Sequence, residues 1–110
     1  MSEMNGKVAI ITGGAGGIGK ATAKLFIEQG AKVLITDISE EALKEAAKEI
    51  NRKSLSCFAA DVSKPEDNEA MVKKAVSLYG GLDILIANAG FEGLVKPLLE
   101  YPPDMIRKNN

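Results

Sequence analysis

Short apolar runs and longer amphipathic stretches alternate along the chain. Lys7–Thr12 (KVAIIT) is almost continuously apolar, the pattern of a strand covered on both faces. A glycine-rich turn, TGGAGGIG, runs from Thr12 to Gly19. Lys20–Gln29 then carries Leu25 and Phe26 at helical spacing, and Gly30 suits the end of that helix. Lys32–Asp37 (KVLITD) is the second predicted strand. Ser39 followed by Glu40 and Glu41 marks a helix start: a capping hydroxyl, then two acids at the positive end of the helix dipole. Ala42, Leu43, Ala46, Ala47 and Ile50 give this helix an apolar stripe. Ser54–Ala60 is the third strand, closed by Asp61-Val62. Ser63-Lys64-Pro65-Glu66 has the form of a capping box, with Ser63 as the cap and Glu66 at the third helical position. The helix it opens should run to Tyr79 and stop at Gly80-Gly81, with Met71, Val72, Ala75, Val76 and Leu78 as packing residues. Leu82–Asn88 (LDILIAN) is the fourth strand.

The order is therefore β-α-β-α-β-α-β. Strands alternating with helices predict a parallel sheet with helices on its faces and right-handed crossovers. No linker, repeat or low-complexity segment divides the sequence, so residues 1–110 read as a single α/β domain.

Composition narrows the function. Of 110 residues, 45% are hydrophobic and 26% charged, as in a soluble globular protein. Lys plus Arg number 14 and Asp plus Glu 15, a net charge of -1, so there is no electrostatic footprint for nucleic acid or an anionic membrane. Apolar runs are far shorter than the ~20 residues a membrane helix needs. The start, MSEMNGKV, lacks signal-peptide features, which places the expected location in the cytoplasm. One Cys and no His exclude an internal disulfide, a Cys/His zinc site and a His-based triad. Cys57, alternating with Leu55, reads as strand packing.

The glycine loop joins a strand to a helix, the setting in which backbone N–H groups and a helix dipole hold phosphate. Two chemistries compete for it. Gly14 to Lys20 reads G-x-x-x-x-G-K, close to the P-loop of ATPases. A P-loop needs Ser or Thr directly after its lysine to hold Mg²⁺; here Ala21 stands there, with Thr22 one place late. The dinucleotide reading has two registers: G-x-G-x-x-G at Gly14, Gly16 and Gly19, or T-G-x-x-x-G-x-G at Thr12, Gly13, Gly17 and Gly19. Either needs an acid at the end of the second strand, about 20 residues on, and Asp37 is there. The missing Mg²⁺ ligand favours the dinucleotide.

With these motifs in hand, the chain resembles the N-terminal half of a short-chain dehydrogenase/reductase. Thr12 to Gly19 matches that family's TGxxxGxG loop, Asp61-Val62 its adenine-side motif and Asn88-Ala89-Gly90 its N-A-G motif, although Ala87 stands where Asn is more usual. Leu82 to Ile86 is also family-like. The resemblance implies part of a Rossmann fold, four strands in the order 3-2-1-4, with the cofactor at the C-terminal ends of the strands. It implies that Thr12, Gly13, Ala15, Gly16, Gly17, Ile18 and Gly19 surround the pyrophosphate. Asp37 and Ile38 would meet the adenosine ribose, Asp61 and Val62 the adenine, and Asn88, Ala89 and Gly90 would line the cofactor further along.

NAD is expected over NADP, because a carboxylate at Asp37 repels a 2′-phosphate and Ala15, Gly16, Ile38 and Ser39 supply no cation. The family's chemistry also uses a Ser and a Tyr-x-x-x-Lys pair, on alcohol or ketone substrates. Tyr79 is followed four places later by Asp83 and Tyr101 by Met105. No catalytic residue is therefore assigned, and Asn109 and Asn110 have no secure register with the family's Asn. The expectation is a cofactor-binding portion of a longer enzyme, a fragment or truncated product that self-associates through the apolar edge of its fourth strand. A non-catalytic nucleotide-binding module and a P-loop-like NTPase are the other two readings.

Overall fold

The computed structural model describes residues 4–88. Its elements are β1 (Val8–Thr12), α1 (Gly17–Glu28), β2 (Lys32–Asp37), α2 (Glu40–Ile50), β3 (Leu55–Ala59), α3 (Pro65–Tyr79) and β4 (Ile84–Ala87). The four strands form one parallel sheet in the order β3-β2-β1-β4. Register aligns the strand ends: Thr12 lies opposite Thr36 on one side and Ala87 on the other, and Asp37 lies opposite Ala59.

Alternation along each strand divides the core between two faces. Ala9, Ile11, Val33 and Ile35 pack with Ala23 and Ile27 of α1 and with Leu43, Ala46 and Ile50 of α2. Val8, Ile10 and Leu34 pack with Met71, Val72, Ala75 and Val76 of α3. Every residue of β1 is buried, which accounts for its unbroken apolar run.

Ser39 caps α2 as expected, its Oγ accepting the Ala42 N–H at 3.1 Å. Gly30 follows the C-cap Gln29 with φ of 97°, a left-handed conformation that favours glycine. Gly80 ends α3 in the same way, at φ of 87°.

Four expectations are corrected. Ser63 does not cap α3. The cap is Lys64, with no side-chain bond, and Pro65 enters the first turn. The Ser63 hydroxyl instead donates to Asp61 Oδ1 at 2.7 Å, a charge-assisted bond that holds the side chain on Asp61. Leu25 does not pack inward: the buried face of α1 is Gly19, Ala23 and Ile27, and Leu25 is 51% exposed on the other side. Leu78 is likewise 44% exposed, near the end of α3. Strand β4 starts at Ile84 rather than Leu82. Leu82 is buried, and Asp83 bridges to β1 by accepting the Val8 N–H and donating its own N–H to Val8 O.

Candidate functional site

The C-terminal ends of β1, β2 and β3 and the start of α1 converge on one edge of the sheet. Gly13 leaves β1 with φ of 64°. The Gly14 N–H donates to Thr36 O at 3.0 Å, fastening the loop to β2, and the Gly16 N–H donates to Gly13 O at 3.2 Å. A Cβ on Gly19 would overlap Gly13 O and lie 2.7 Å from Gly14 Cα. One on Gly14 would lie 2.5 Å from Ile35 Cβ. A Cβ on Gly17 would meet nothing within 4 Å, and one on Gly16 would make only an ordinary contact at 3.6 Å.

Gly13 is thus needed for its conformation, Gly14 and Gly19 for close packing, and Gly17 lies at an open face. Gly14 is a packing residue left off the set of expected site residues; its signal was its place in an unbroken glycine pair.

The N-terminus of α1 has no side-chain cap and no acid in its first turn, whereas α2 and α3 begin with Glu40-Glu41 and Glu66-Asp67. Gly16, Gly17 and Ile18 are exposed there. Uncapped N–H groups at the positive end of a helix form a cradle for an anion. Ala15 packs inward against the α1/α2 core and holds the loop down.

The P-loop alternative does not fit this geometry. Lys20 Nζ is paired with Glu49 Oε1 at 2.9 Å, joining α1 to α2, and its bond and charge hold the Glu49 carboxyl below the usual carboxylate range. The Thr22 hydroxyl donates to Ile18 O at 2.9 Å, within its own helix.

Beside the loop, a cavity of about 270 Å³ opens between the ends of β2 and β3. Gly13, Thr36, Asp37 and Ile38 line one side; Ala60, Asp61, Val62 and Ser63 line the other. The Ala60 N–H donates to Asp37 O at 3.0 Å and ties the two walls together. Asp37 Oδ1 accepts the Ser39 N–H at 3.2 Å. Ile38 is 72% exposed, a large apolar side chain at the rim of the cavity. Asp61 Oδ1 accepts both the hydroxyl and the N–H of Ser63, and these bonds hold its carboxyl below the usual range.

Thr12 is fully buried, and its Oγ1 accepts the Asn88 N–H at 3.0 Å, locking the exits of β1 and β4 together. Asn88 itself is exposed. Ala89, Gly90, Asn109 and Asn110 lie outside the described residues. Two side chains in the first turn of α3, which the sequence did not single out, bond to the cavity wall: Asp67 Oδ2 accepts the Asp61 N–H at 2.8 Å, and Asn68 Nδ2 donates to Val62 O at 3.1 Å. Among the described residues no group of three or more His, Cys, Asp or Glu could hold a metal ion, and no helix is long and apolar enough to cross a membrane.

The arrangement fits a dinucleotide: a phosphate cradle beside a cavity with carboxylates at its border. The family model for short chain dehydrogenases matches residues 7–108. Short chain aldehyde dehydrogenase 1 of Euphorbia lathyris is 46% identical over 96 residues, covering 86% of this chain and 33% of that protein. The mitochondrial borneol dehydrogenase of Lavandula x intermedia is 45% identical, covering 87% of this chain and 36% of that protein. The crystal structure of the 3-ketoacyl-(acyl-carrier-protein) reductase from Brucella melitensis, complexed with NADH, superposes with a TM-score of 0.71 at 42% identity, over 76% of this chain and 34% of that one. The chain thus spans about a third of the length of the relatives it matches. Its loop, sheet order and sequence place it in the short-chain dehydrogenase/reductase family, to which it belongs.

Proposed function

We propose that this chain is the NAD(H)-binding portion of an oxidoreductase that interconverts an alcohol and a ketone. The observation that carries the reading is the pairing of an uncapped α1 N-terminus with a cavity bordered by Asp37 and Asp61. The N–H groups of Gly17, Ile18 and Gly19 bind the pyrophosphate. Asp37 accepts hydrogen bonds from the ribose hydroxyls, and Asp61 and Val62 flank the adenine. Thr12 fixes the exit of β4 through the Asn88 N–H, and Asn88, Ala89 and Gly90 are assigned to the cofactor on the family's N-A-G motif. When bound, the cofactor supplies the hydride that is exchanged with substrate. This chain's residues hold and orient it. Neither tyrosine is followed by lysine four places on, so these 110 residues bind cofactor without turning over substrate.

The preference for NAD follows from charge. Among the described residues, two acids and no cation line the cavity. A 2′-phosphate about 4 Å from a carboxylate is opposed by about 1 kcal/mol per charge pair at the dielectric of water and about 4 kcal/mol at an effective dielectric of 20. Asp37 is partly exposed, so the lower half of that range applies. It still corresponds to about a tenfold preference.

The test is calorimetric titration of the chain with NADH and NADPH, repeated for Asp37→Ala. NADH should bind about tenfold tighter, and the substitution should bring the two close to parity. Equal binding by the unmutated chain refutes the NAD assignment, and binding of neither refutes the cofactor reading.

A further inference from the structure

The inward face of α3 is apolar through Met71, Val72, Ala75 and Val76, and one turn earlier the same face carries Asn68, 3% exposed. An apolar residue would continue that face and pack on the sheet. Asn68 instead leaves Oδ1 buried with no hydrogen-bond partner among the described residues. A buried, half-satisfied amide on an apolar stripe is unfavourable for folding, so its position calls for another explanation. The bond it does make is from Nδ2 to Val62 O, at 3.1 Å. The preceding residue acts beside it, Asp67 Oδ2 accepting the Asp61 N–H at 2.8 Å. Together they grip adjacent residues of the cavity wall.

Within that wall, Ser63 folds back on Asp61 Oδ1, and the Lys64 N–H donates to Asp61 O at 2.9 Å. Its described link to β2 is the bond from the Ala60 N–H to Asp37 O. Neither Asp67 nor Asn68 lines the cavity. Met71 and Val72, on the turn after Asn68, are packed against the core of the sheet. A chain of fixed contacts therefore runs from the sheet through α3 to the cavity wall.

We infer that Asp67 and Asn68 are positioning residues that hold Asp61 and Val62 in the geometry that receives the adenine ring. This rests on the dinucleotide reading above. The two residues act through the wall and touch no cofactor atom.

The experiment compares the unmutated chain with Asn68→Leu, Asp67→Ala and Asp67→Asn. Asn68→Leu removes the donor and the orphaned oxygen while continuing the apolar face. Asp67→Ala breaks the second grip without entering the core, so it remains informative should Asn68→Leu fold poorly. Asp67→Asn keeps an acceptor for the Asp61 N–H and serves as the rescue. Two quantities are read: amide hydrogen exchange of Asp61, Ser63 and Lys64 in the free chain, and the dissociation constants of NADH and of AMP, which carries only the adenosine end.

Asn68→Leu and Asp67→Ala should each speed exchange at those amides about tenfold, with β1 and β2 unaffected, because the opening is local. Both should weaken NADH and AMP alike, by about 5- to 10-fold, the loss expected for one net hydrogen bond. Asp67→Asn should restore most of both. Unchanged exchange at the three amides overturns the inference, whether or not cofactor binds. Faster exchange with unchanged affinity overturns it as well. A chain that binds no NADH refutes the dinucleotide reading, and the exchange data then decide the positioning role alone.

Discussion

Replacing Gly17 and Gly19 separately should divide what the glycine loop does for the fold from what it does for the ligand. A Cβ at position 19 would overlap Gly13 O and crowd Gly14 Cα at 2.7 Å. Both are backbone atoms of residues that cannot easily yield, Gly13 sitting at φ of 64° and Gly14 bonded to Thr36 O. Overpacking of this kind costs about 1–3 kcal/mol. Replacing a helical glycine with alanine returns up to about 1 kcal/mol, so Gly19→Ala should lose about 1–2 kcal/mol net. For a chain of this size that lowers Tm by about 5–10 °C. A Cβ at position 17 meets no protein atom within 4 Å, so Gly17→Ala should melt within a degree or two of the unmutated chain. It would nevertheless stand in front of the first-turn N–H groups and weaken NADH by tenfold or more. Gly16→Ala, with an ordinary 3.6 Å contact, is the control and should change stability little. Thermal melts followed by circular dichroism, with NADH titrations on each variant, give both readings. An unaltered Tm for Gly19→Ala would falsify the packing argument. Normal NADH binding by Gly17→Ala would remove the loop from the phosphate site.

Other outcomes follow from individual contacts. The Asp61 carboxyl should titrate below its ordinary value near 3.8, because the Ser63 hydroxyl and N–H bond its charged form. A carboxyl lowered in the fold contributes stability above its unfolded value and loses it as pH falls through the folded one. Ser63→Ala should therefore move the Asp61 midpoint upward by NMR and reduce the acid sensitivity it confers; an unmoved midpoint contradicts the assignment. Tyr79 packs its hydroxyl 2.5 Å from Ser56 Oγ, and burial pushes its phenol above the ordinary value of 10. Absorbance titration should show that upward shift, and Tyr79→Phe should cost about 1 kcal/mol in urea unfolding, one net hydrogen bond; no loss would mean the pair is not formed in solution. Burial also pushes the Cys57 thiol up, so it should react with Ellman's reagent more slowly than a free cysteine at neutral pH. Reaction at the rate of a free thiol would show that β3 does not shield it.

What the sequence made legible is what short-range rules decide. The apolar runs of β1 and β2 announce strands buried on both faces, and Ser39 ahead of two glutamates announces the start of α2. What it hid depends on contacts across a turn. The Ser63-x-x-Glu66 spacing reads as a cap on the assumption that the hydroxyl is held over the helix start, and its bond to Asp61, two residues earlier, holds it on that carboxylate instead. Leu25 and Leu78 have apolar side chains but fall off the buried stripes of their helices, a distinction that needs the position of the sheet. The two glycine registers share only Gly19, and the structure requires glycine in both, through the dihedral angle at Gly13 and the overlaps at Gly14 and Gly19. Asn68 was visible all along as a polar residue on the stripe of Met71 and Val72; its partner, Val62 O, is a backbone atom that no side-chain pattern marks.

The placement of the site follows from parallel pairing, which sets the edge, and from handedness, which sets the faces. Successive parallel strands joined by right-handed crossovers all leave the sheet from the same edge, so the exits of β1, β2 and β3 face the same solvent. From β1 to β2 to β3 the chain moves one way, which puts α1 and α2 on one face. It then returns past β2 and β1 to lay down β4, and the same handedness puts α3 on the other face. At β1 the direction of travel reverses. That reversal sets β1 in the interior of the sheet, between β2 and β4, and sheets of this order bind ligands at the strand ends beside such a point. Thr12 stands at that point, joined by its hydroxyl to Asn88 and lying beside Thr36 in register. The glycine loop leaving it had to be compact enough to turn over β2, which is what the Gly14–Thr36 bond and the close Gly13–Gly19 approach accomplish.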